Sequence, residues 1–309
     1  MAAPPSRTLA DVLAGLADPT VGDGGGDDGG LIGHLRDQLD AAARSAAGVA
    51  GWTEDAPLRL TKTVVTWLLR CPRRALAPVD EAGVELSDDL VTGLVVDAAA
   101  KVATLVPQRP ATAEAAVAFL AATGDAGVAD HLDALDPGAR GVLLSDVGGR
   151  VERLVAGWPA IDPGWWARVE EPVQARFAGG AVTVRGRLDL ALGGPPTGRP
   201  AVVVEVKGGR WYDGMRSDAH LYALLVALRD GRAPAAAVTV VADGTTQVEP
   251  IRAALLSHAA ERLDEGMHVA ATLAMGEAPD ARPGPYCDHC PVRAGCPQAA
   301  PRSAGTAPA

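Results

Sequence analysis

The sequence lacks any apolar run of the roughly 18–20 residues that a membrane-spanning helix needs. Its opening stretch, MAAPPSRTLADVLAGLADPT, also lacks the basic-then-apolar layout of a secretory signal. These two absences predict a cytoplasmic protein without a membrane partner. In the cytoplasm, the four cysteines are expected to be metal ligands or free thiols rather than disulfides.

Lysine is scarce, with 3 lysines against 25 arginines, and the formal net charge is −10. An acidic balance argues weakly against nucleic-acid binding, because phosphate contacts need local positive charge. However, no acidic residue occurs between Ala56 and Val79. The basic residues of that stretch are Arg59, Lys62, Arg70, Arg73 and Arg74. A local basic surface on an acidic protein can still contact phosphates.

Composition and pattern divide the 309 residues into an accessory region, a main domain and a tail. The accessory region contains a flexible acidic linker, Gly22–Gly30, between short helices expected at Leu9–Leu16 and Leu31–Ala47. The predicted boundaries are 1–57 for the accessory region, 58–300 for the domain and 301–309 for the tail. Within the domain we expect a helical part at about 58–160, a catalytic core at about 165–250, and a C-terminal helix with a cysteine cluster at 251–300.

The main domain is predicted to be α/β with a mixed central sheet. The pattern is helical from Leu58 onward, with Thr61 or Thr63 as a candidate helix cap. The expected helices are Val64–Leu69, Leu90–Leu105, Ala113–Ala122, Ser217–Asp230 and most of Ile251–Met275. The expected strands are Val169–Phe177, Ala181–Leu192, Ala201–Lys207 and Ala235–Val241, with turns at Gly179-Gly180 and Gly193–Pro200.

Two acidic residues and a lysine lie on neighbouring predicted strands. Glu205 and Lys207 are two residues apart, so strand geometry places them on the same face. If the strand that carries Asp189 pairs with theirs, Asp189 can face Glu205. Two carboxylates can hold Mg²⁺ or Mn²⁺, and Lys207 can orient an attacking water or stabilise a developing phosphorane.

The alternative is an ordinary Glu–Lys pair on a solvated strand face. Ala201–Val204 is too apolar for an exposed edge strand. In addition, position 207 carries a lysine, although arginine is far more frequent in this sequence. Both observations favour a site over a chance pair.

Three of the four cysteines form a compact cluster, Cys287-x2-Cys290-x5-Cys296. Proline follows Cys290 and Cys296 and also the distant Cys71, as is common for iron–sulfur ligands. Together the four thiolates could hold a [4Fe–4S] cluster or a tetrahedral zinc ion, for which His289 is a possible substitute ligand. Alternatively, Cys71 is a buried thiol unrelated to the others.

The combination resembles the PD-(D/E)XK nuclease superfamily, in particular its RecB-like iron–sulfur branch, which includes proteins similar to AddB and the CRISPR-associated exonuclease family. The resemblance rests on the runs GRLDLAL, VVVEVKGG and LRCPRR and on the three late cysteines, and it covers about residues 58–298. It implies a restriction-endonuclease-like fold with an inserted helical subdomain. It also implies that Asp189 and Glu205 bind the metal, that Lys207 is catalytic, and that all four cysteines bind iron.

The resemblance has two departures. The branch usually carries Gly-x-x-x-His on a helix, with the histidine as a metal ligand, whereas this sequence has Asp97 four residues after Gly93. The branch also usually carries Gln four residues before a tyrosine, and here Asp218 precedes Tyr222. Asp97, together with Glu171 on the preceding strand, is a further candidate metal ligand. A solvated carboxylate is the alternative for each.

These features predict a metal-dependent DNA nuclease acting in repair, recombination or defence on single strands or ends, with a helicase as a candidate partner. The expected substrate-binding residues are Arg73, Arg74, Arg210 and Tyr222. Two alternatives are a nuclease-fold DNA-binding subunit with little or no catalysis and a zinc-stapled protein of unrelated function. The choices between exonuclease and endonuclease action and between DNA and RNA stay open, as do the pathway and the oligomeric state.

Overall fold

The computed structural model describes residues 8–17, 28–76, 86–108, 110–209, 211, 214–278, 280–284, 286–287 and 290–299. The chain forms two compact units. The first comprises Met1–Ile32, Val84–Val173 and Arg187–Leu256, and the second comprises Gly33–Gly83, Gln174–Gly186 and Ser257–Ala309. Within the described ranges, no helix is both long and apolar enough to cross a membrane.

Helices make up most of the described chain. They are α1 (Leu9–Ala17), α2 (Asp28–Ala50), α3 (Lys62–Arg70), α4 (Pro72–Ala75), α5 (Asp88–Leu105), α6 (Ala113–Thr123), α7 (Gly127–Ala134), α8 (Pro137–Ala156), α9 (Gly214–Asp230) and α10 (Ala253–Ala274). Thr61 caps α3 as predicted, since its hydroxyl accepts a hydrogen bond from the backbone N–H of Val64 at 3.3 Å.

Six strands form a mixed sheet. They are β1 (Leu58–Leu60), β2 (Arg168–Phe177), β3 (Val182–Gly194), β4 (Arg199–Lys207), β5 (Ala236–Val241) and β6 (Thr246–Pro250). In the first unit, β3 pairs antiparallel with β4, β4 parallel with β5, and β5 antiparallel with β6. In the second unit, β1 pairs parallel with the start of β3. The predicted mixed sheet with flanking helices is confirmed.

The core of the first unit lies between the sheet and the helices α1 and α5 to α8. It includes Val202, Val204 and Val206, which alternate along β4. Helix α5 packs against β4, α6 and α8, and α9 packs against β4 and β5. Because one face of β4 is fully used by this core, the residues between these valines face the other side of the sheet.

Some local predictions were wrong. Leu58–Leu60 is a strand rather than the start of a helical region, because its backbone pairs with Val182–Val184. Helix α2 begins at Asp28, so Gly29 and Gly30 are helical although we expected them in the linker. Burial of Leu35 and Leu39 stabilises that helix despite its glycines. Residues 22–27 of the expected linker lie outside the described residues.

Helices α7 and α8 and strand β6 had no individual prediction. Helix α8 contains Gly148 and Gly149, which weaken the local helical signal. Its buried residues, Leu143, Val147, Val151 and Leu154, recur at helical spacing. Strand β6 is short and largely polar, and it is defined by its pairing with β5 rather than by its own pattern.

Candidate active site

Asp189 and Glu205 lie side by side on β3 and β4. The last registered pair before them is Leu190 with Val204, so Asp189 and Glu205 occupy the next position along this antiparallel pair. The Asp189 Oδ2 atom accepts a hydrogen bond from the backbone N–H of Val206 at 2.7 Å. Glu205 is fully buried, with 0% of its surface exposed. The structure therefore brings together the two carboxylates that the sequence analysis singled out.

Lys207 follows two residues later on the same face of β4. Its ammonium group contacts Glu205 Oε1 and lies 3.7 Å from Asp218 Oδ2 of α9. The lysine side chain is 21% exposed, whereas Glu205 is completely enclosed. A cationic group thus stands between the buried carboxylate and solvent.

Asp97 of α5 belongs to the same cluster. Its Oδ2 atom contacts the ammonium group of Lys101, while Oδ1 is buried and makes no hydrogen bond to a described residue. Burial raises the pKa of Asp97, and the nearby carboxylates of Glu170 and Glu205 raise it further. A buried carboxylate oxygen without a hydrogen-bond partner is a candidate ligand for a divalent cation.

Two glycines allow α5 to approach the end of β4 closely. A Cβ atom on Gly208 would lie 2.5 Å from the Cα atom of Gly93, so neither backbone has room for a side chain between them. Gly93 is one turn before Asp97, and Gly208 directly follows Lys207. The Gly-x-x-x-Asp motif therefore has a packing role: its glycine permits the approach that places Asp97 near Glu205.

The sequence analysis missed Glu170. This residue contacts both Lys101 and Arg187, and it adds to the negative field around Asp97. Its φ angle of 53° is in the left-handed region, which is uncommon for a residue with a side chain. That conformation interrupts the alternation of β2, so strand periodicity could not show which of two adjacent glutamates faces the site.

Glu171, the expected ligand, is instead held by two arginines. Its Oε1 atom lies 3.0 Å from Arg168 Nε and accepts a hydrogen bond from Arg229 Nη1, also at 3.0 Å. These guanidinium groups neutralise the carboxylate. Its role as a metal ligand stays a prediction.

Tyr222 of α9 lies beneath the carboxylates rather than on the surface. It is only 4% exposed and makes a hydrogen bond with the backbone of Arg187. Burial raises the pKa of the Tyr222 hydroxyl, and the Glu205 carboxylate raises it further. Substrate binding by Tyr222 stays a prediction, and its hydroxyl lies within electrostatic reach of Glu205 and Asp189.

The donor set fits a magnesium or manganese ion better than a metal with a closed protein cage. Within the described part of the chain, no group of three or more His, Cys, Asp or Glu side chains is arranged to hold an ion by itself. Mg²⁺ commonly uses only one or two carboxylates and keeps several waters for contacts with phosphate. Asp189 and Glu205 supply two such carboxylates, and Asp97 Oδ1 is a buried oxygen beside them.

The four cysteines lie in the second unit and line one pocket. Cys71 separates α3 from α4 and is buried, as is Cys287, whereas Cys290 and Cys296 are partly buried. The Cys287 sulfur accepts a hydrogen bond from the backbone N–H of Gly284 at 3.4 Å. None of these four described cysteines forms a disulfide, and their role as iron ligands stays a prediction.

The sulfur atoms of the four described cysteines are not clustered as the ligands of a single metal ion would be. Sulfur ligands of one tetrahedral zinc ion lie about 3.8 Å apart, given Zn–S bonds of about 2.3 Å. No three of the described cysteines form such a group, although all four share one pocket. The candidate ligand His289 lies outside the described residues.

Arg73 and Arg74 contact the cysteine segment of the second unit. The Arg73 guanidinium donates to the carbonyl oxygen of Gly295 at 3.0 Å. The Arg74 guanidinium donates to the carbonyl of Tyr286 at 3.3 Å and stacks 3.6 Å from the ring centre of Trp67. Both arginines thus hold the pocket together, and their contact with substrate stays a prediction. Arg210 lies outside the described residues.

Comparison with known proteins gives a family. The family model of the PD-(D/E)XK nuclease superfamily matches residues 59–297. Eight chains of solved structures also match, among them one titled "Crystal structure of SSO0001", with 15% sequence identity, coverage of 77% of this chain and 85% of that chain, and a TM-score of 0.33. No curated protein matches. Because the family model spans most of the sequence, the chain belongs to the PD-(D/E)XK nuclease superfamily.

Proposed function

We propose that this protein is a metal-dependent nuclease of the RecB-like type that hydrolyses phosphodiester bonds in DNA. Family membership indicates a nuclease. The observation that carries the finer proposal is the contact between Lys207 and the buried Glu205, next to Asp189 on the paired strand. Such a cationic group beside two carboxylates matches the chemistry of phosphate-ester hydrolysis.

Asp189 and Glu205 are the proposed holders of Mg²⁺ or Mn²⁺, and Asp97 is a third candidate ligand. When bound, the cation lowers the pKa of a coordinated water and offsets charge on the scissile phosphate. The hydrogen bond from Val206 fixes the orientation of the Asp189 carboxylate. The Lys207 ammonium group can orient the attacking water and stabilise negative charge on the phosphate oxygens.

The second candidate is a nuclease-fold subunit that binds DNA with little catalysis. It is favoured by Asp218, whose carboxylate lies 3.7 Å from the Lys207 ammonium group. A second carboxylate beside this lysine competes with the substrate for its positive charge. The departure at Asp97 supports the same alternative, because aspartate replaces a family histidine there.

The full-length protein should be incubated with end-labelled single-stranded DNA, linear duplex and closed circular DNA, with Mn²⁺, Mg²⁺ or EDTA. We expect metal-dependent cleavage that Lys207→Ala reduces by at least 100-fold, while Arg252→Ala, which removes an exposed cation of the first unit, cleaves like the wild type. Cleavage of the closed circles would indicate an endonuclease, and a parallel RNA substrate tests the choice of nucleic acid. A folded, metal-loaded protein that cleaves none of these substrates would leave the DNA-binding alternative.

We also propose that Cys71, Cys287, Cys290 and Cys296 hold a [4Fe–4S] cluster. The pocket that all four cysteines line supports it. The cluster would tie Cys71 to the C-terminal segment and limit fraying of that end. Anaerobic purification should yield a brown protein with about four iron atoms per chain, and Cys71→Ser should lose most of that iron. A colourless protein with one zinc per chain would overturn this assignment.

Other parts of the proposal rest on sequence alone. They are the domain boundaries 1–57, 58–300 and 301–309, a role in repair, recombination or defence, a cytoplasmic location and a helicase partner. Co-purification of the tagged protein from its own host would identify a helicase partner directly.

A further inference from the structure

One face of the strands in the second unit carries a set of exposed arginines. Arg59 of β1 is registered with Thr183 of β3, and Arg185 follows two residues later on the same face of β3. Arg176 lies on β2, two residues after Gln174 and therefore on the same face as it. All three arginines are exposed.

These side chains line a single groove of about 460 Å³. Its lining includes Arg59, Gln174, Arg176, Thr183 and Arg185, together with one acidic residue, Glu54. Three guanidinium groups against one carboxylate make the groove locally positive in a chain whose formal net charge is −10. We call this surface the arginine groove.

The groove arginines differ from two arginines of the first unit in their pairing. Arg168 forms an ion pair with Glu171, and Arg229 forms ion pairs with Glu171 and Asp230. In contrast, none of the three groove arginines forms an ion pair with any residue that the structure describes. Their charges are therefore available to a ligand without first breaking an internal contact.

The chemistry of the lining identifies the ligand. Arginine binds phosphate through two parallel hydrogen bonds, and Thr183 and Gln174 add neutral donors beside it. The lining contains no aromatic side chain on which an unpaired base could stack. The groove therefore suits phosphate groups along a nucleic-acid backbone and reads neither bases nor sequence.

We propose that the arginine groove is a docking surface for the phosphate backbone of duplex DNA, separate from the residues that carry out hydrolysis. The choice of DNA rests on the proposed nuclease function, whereas the binding of a polyanion rests on the groove itself. The surface would add affinity without sequence preference, and its contribution would depend strongly on salt.

The test measures binding of a labelled 30-base-pair duplex by fluorescence anisotropy in EDTA, over a range of NaCl concentrations. The triple variant Arg59→Gln, Arg176→Gln and Arg185→Gln should match the wild type at about 1 M NaCl and bind about 500-fold more weakly at about 0.1 M NaCl. Its slope of log affinity against log salt should be smaller by about 2.7, for three lost phosphate contacts. The single variant Arg185→Gln removes one phosphate contact, so its slope should be smaller than that of the wild type by about 0.9.

The matched control is Arg140→Gln, Arg153→Gln and Arg252→Gln, which removes the same charge from exposed positions elsewhere. It should keep the wild-type slope. Equal slopes for the groove and control variants would overturn the proposal. The same titration with single-stranded DNA and with an acidic peptide tests the choice of ligand. If the groove variant lost affinity for one of these ligands but not for the duplex, the proposal would also be overturned. Because EDTA prevents cleavage, a groove that binds duplex in a protein without nuclease activity would refute the proposed function alone.

Discussion

The ammonium group of Lys101 contacts the carboxylate of Asp97, one helical turn earlier on α5, and only 6% of the lysine surface is exposed. The same ammonium group contacts Glu170 of β2. One buried cation thus contacts two carboxylates, and one of them, Asp97, lies within electrostatic reach of Glu205. Removing the positive charge of Lys101 would therefore leave the negative charges of Asp97 and Glu170 without this partner.

Replacing Lys101 with methionine should destabilise the protein by about 3 kcal/mol, because Asp97 and Glu170 then repel each other without a buried partner. The pKa of Lys101 is raised mainly by Asp97 against the opposing effect of burial, so the lysine is charged throughout pH 5–8. The loss should appear as a lower urea midpoint and shrink on acidification, because the raised pKa of Asp97 lets that carboxylate take up a proton. Lys62→Met is the control, and an equal loss in both variants would argue against a special role for Lys101.

Metal affinity should increase with pH. The raised pKa of Asp97 means that a proton competes with the cation at this carboxylate, so Mn²⁺ binding should strengthen as pH rises above the ordinary value of 3.8 and through the raised one. Because the pKa of Asp97 is higher in the folded protein than in the unfolded chain, the metal-free protein should lose stability as the pH rises from 3.8 through the raised pKa.

Asp97→Asn should therefore bind Mn²⁺ about tenfold more weakly, with little pH dependence from this position. Isothermal titration calorimetry between pH 5 and pH 8 measures both effects. The exposed Asp133→Asn should behave like the wild type. Unchanged affinity in Asp97→Asn would remove Asp97 from the set of candidate ligands.

Gly208→Ala should disrupt the site through packing alone. The new Cβ atom would meet the Gly93 Cα atom at 2.5 Å, so α5 must shift away from β4 and carry Asp97 with it. We expect a loss of about 1–3 kcal/mol in stability and slower cleavage. Gly209→Ala is a matched control, because a Cβ atom there meets nothing within 4 Å. Equal melting temperatures for the two variants would contradict the close approach.

Tyr222→Phe separates a positioning role from substrate binding. Loss of the hydrogen bond with the Arg187 backbone should cost about 1 kcal/mol. Because the ring is 4% exposed, we expect a lower kcat from a less well held Glu205 and an unchanged KM for DNA. An increase in KM without a change in kcat would instead support direct contact between Tyr222 and the substrate.

The sequence by itself determined the central pair of strands and the side chains that share their face. Strand alternation placed Glu205 with Lys207, and the apolar run Ala201–Val204 indicated a buried strand, because both signals depend only on near neighbours. The Thr61 cap is similarly local. For this reason the mixed sheet and the pairing of Asp189 beside Glu205 were predictable.

Only the tertiary structure decided which further charges join the site. The contact between Lys101 and Glu170 links residues 69 positions apart, and the left-handed conformation of Glu170 interrupts the alternation of β2 at this point. The arginine groove likewise depends on the pairing of β1 with β3, where a helix was expected. Such contacts arise from packing between distant segments, and no pattern among near neighbours specifies them.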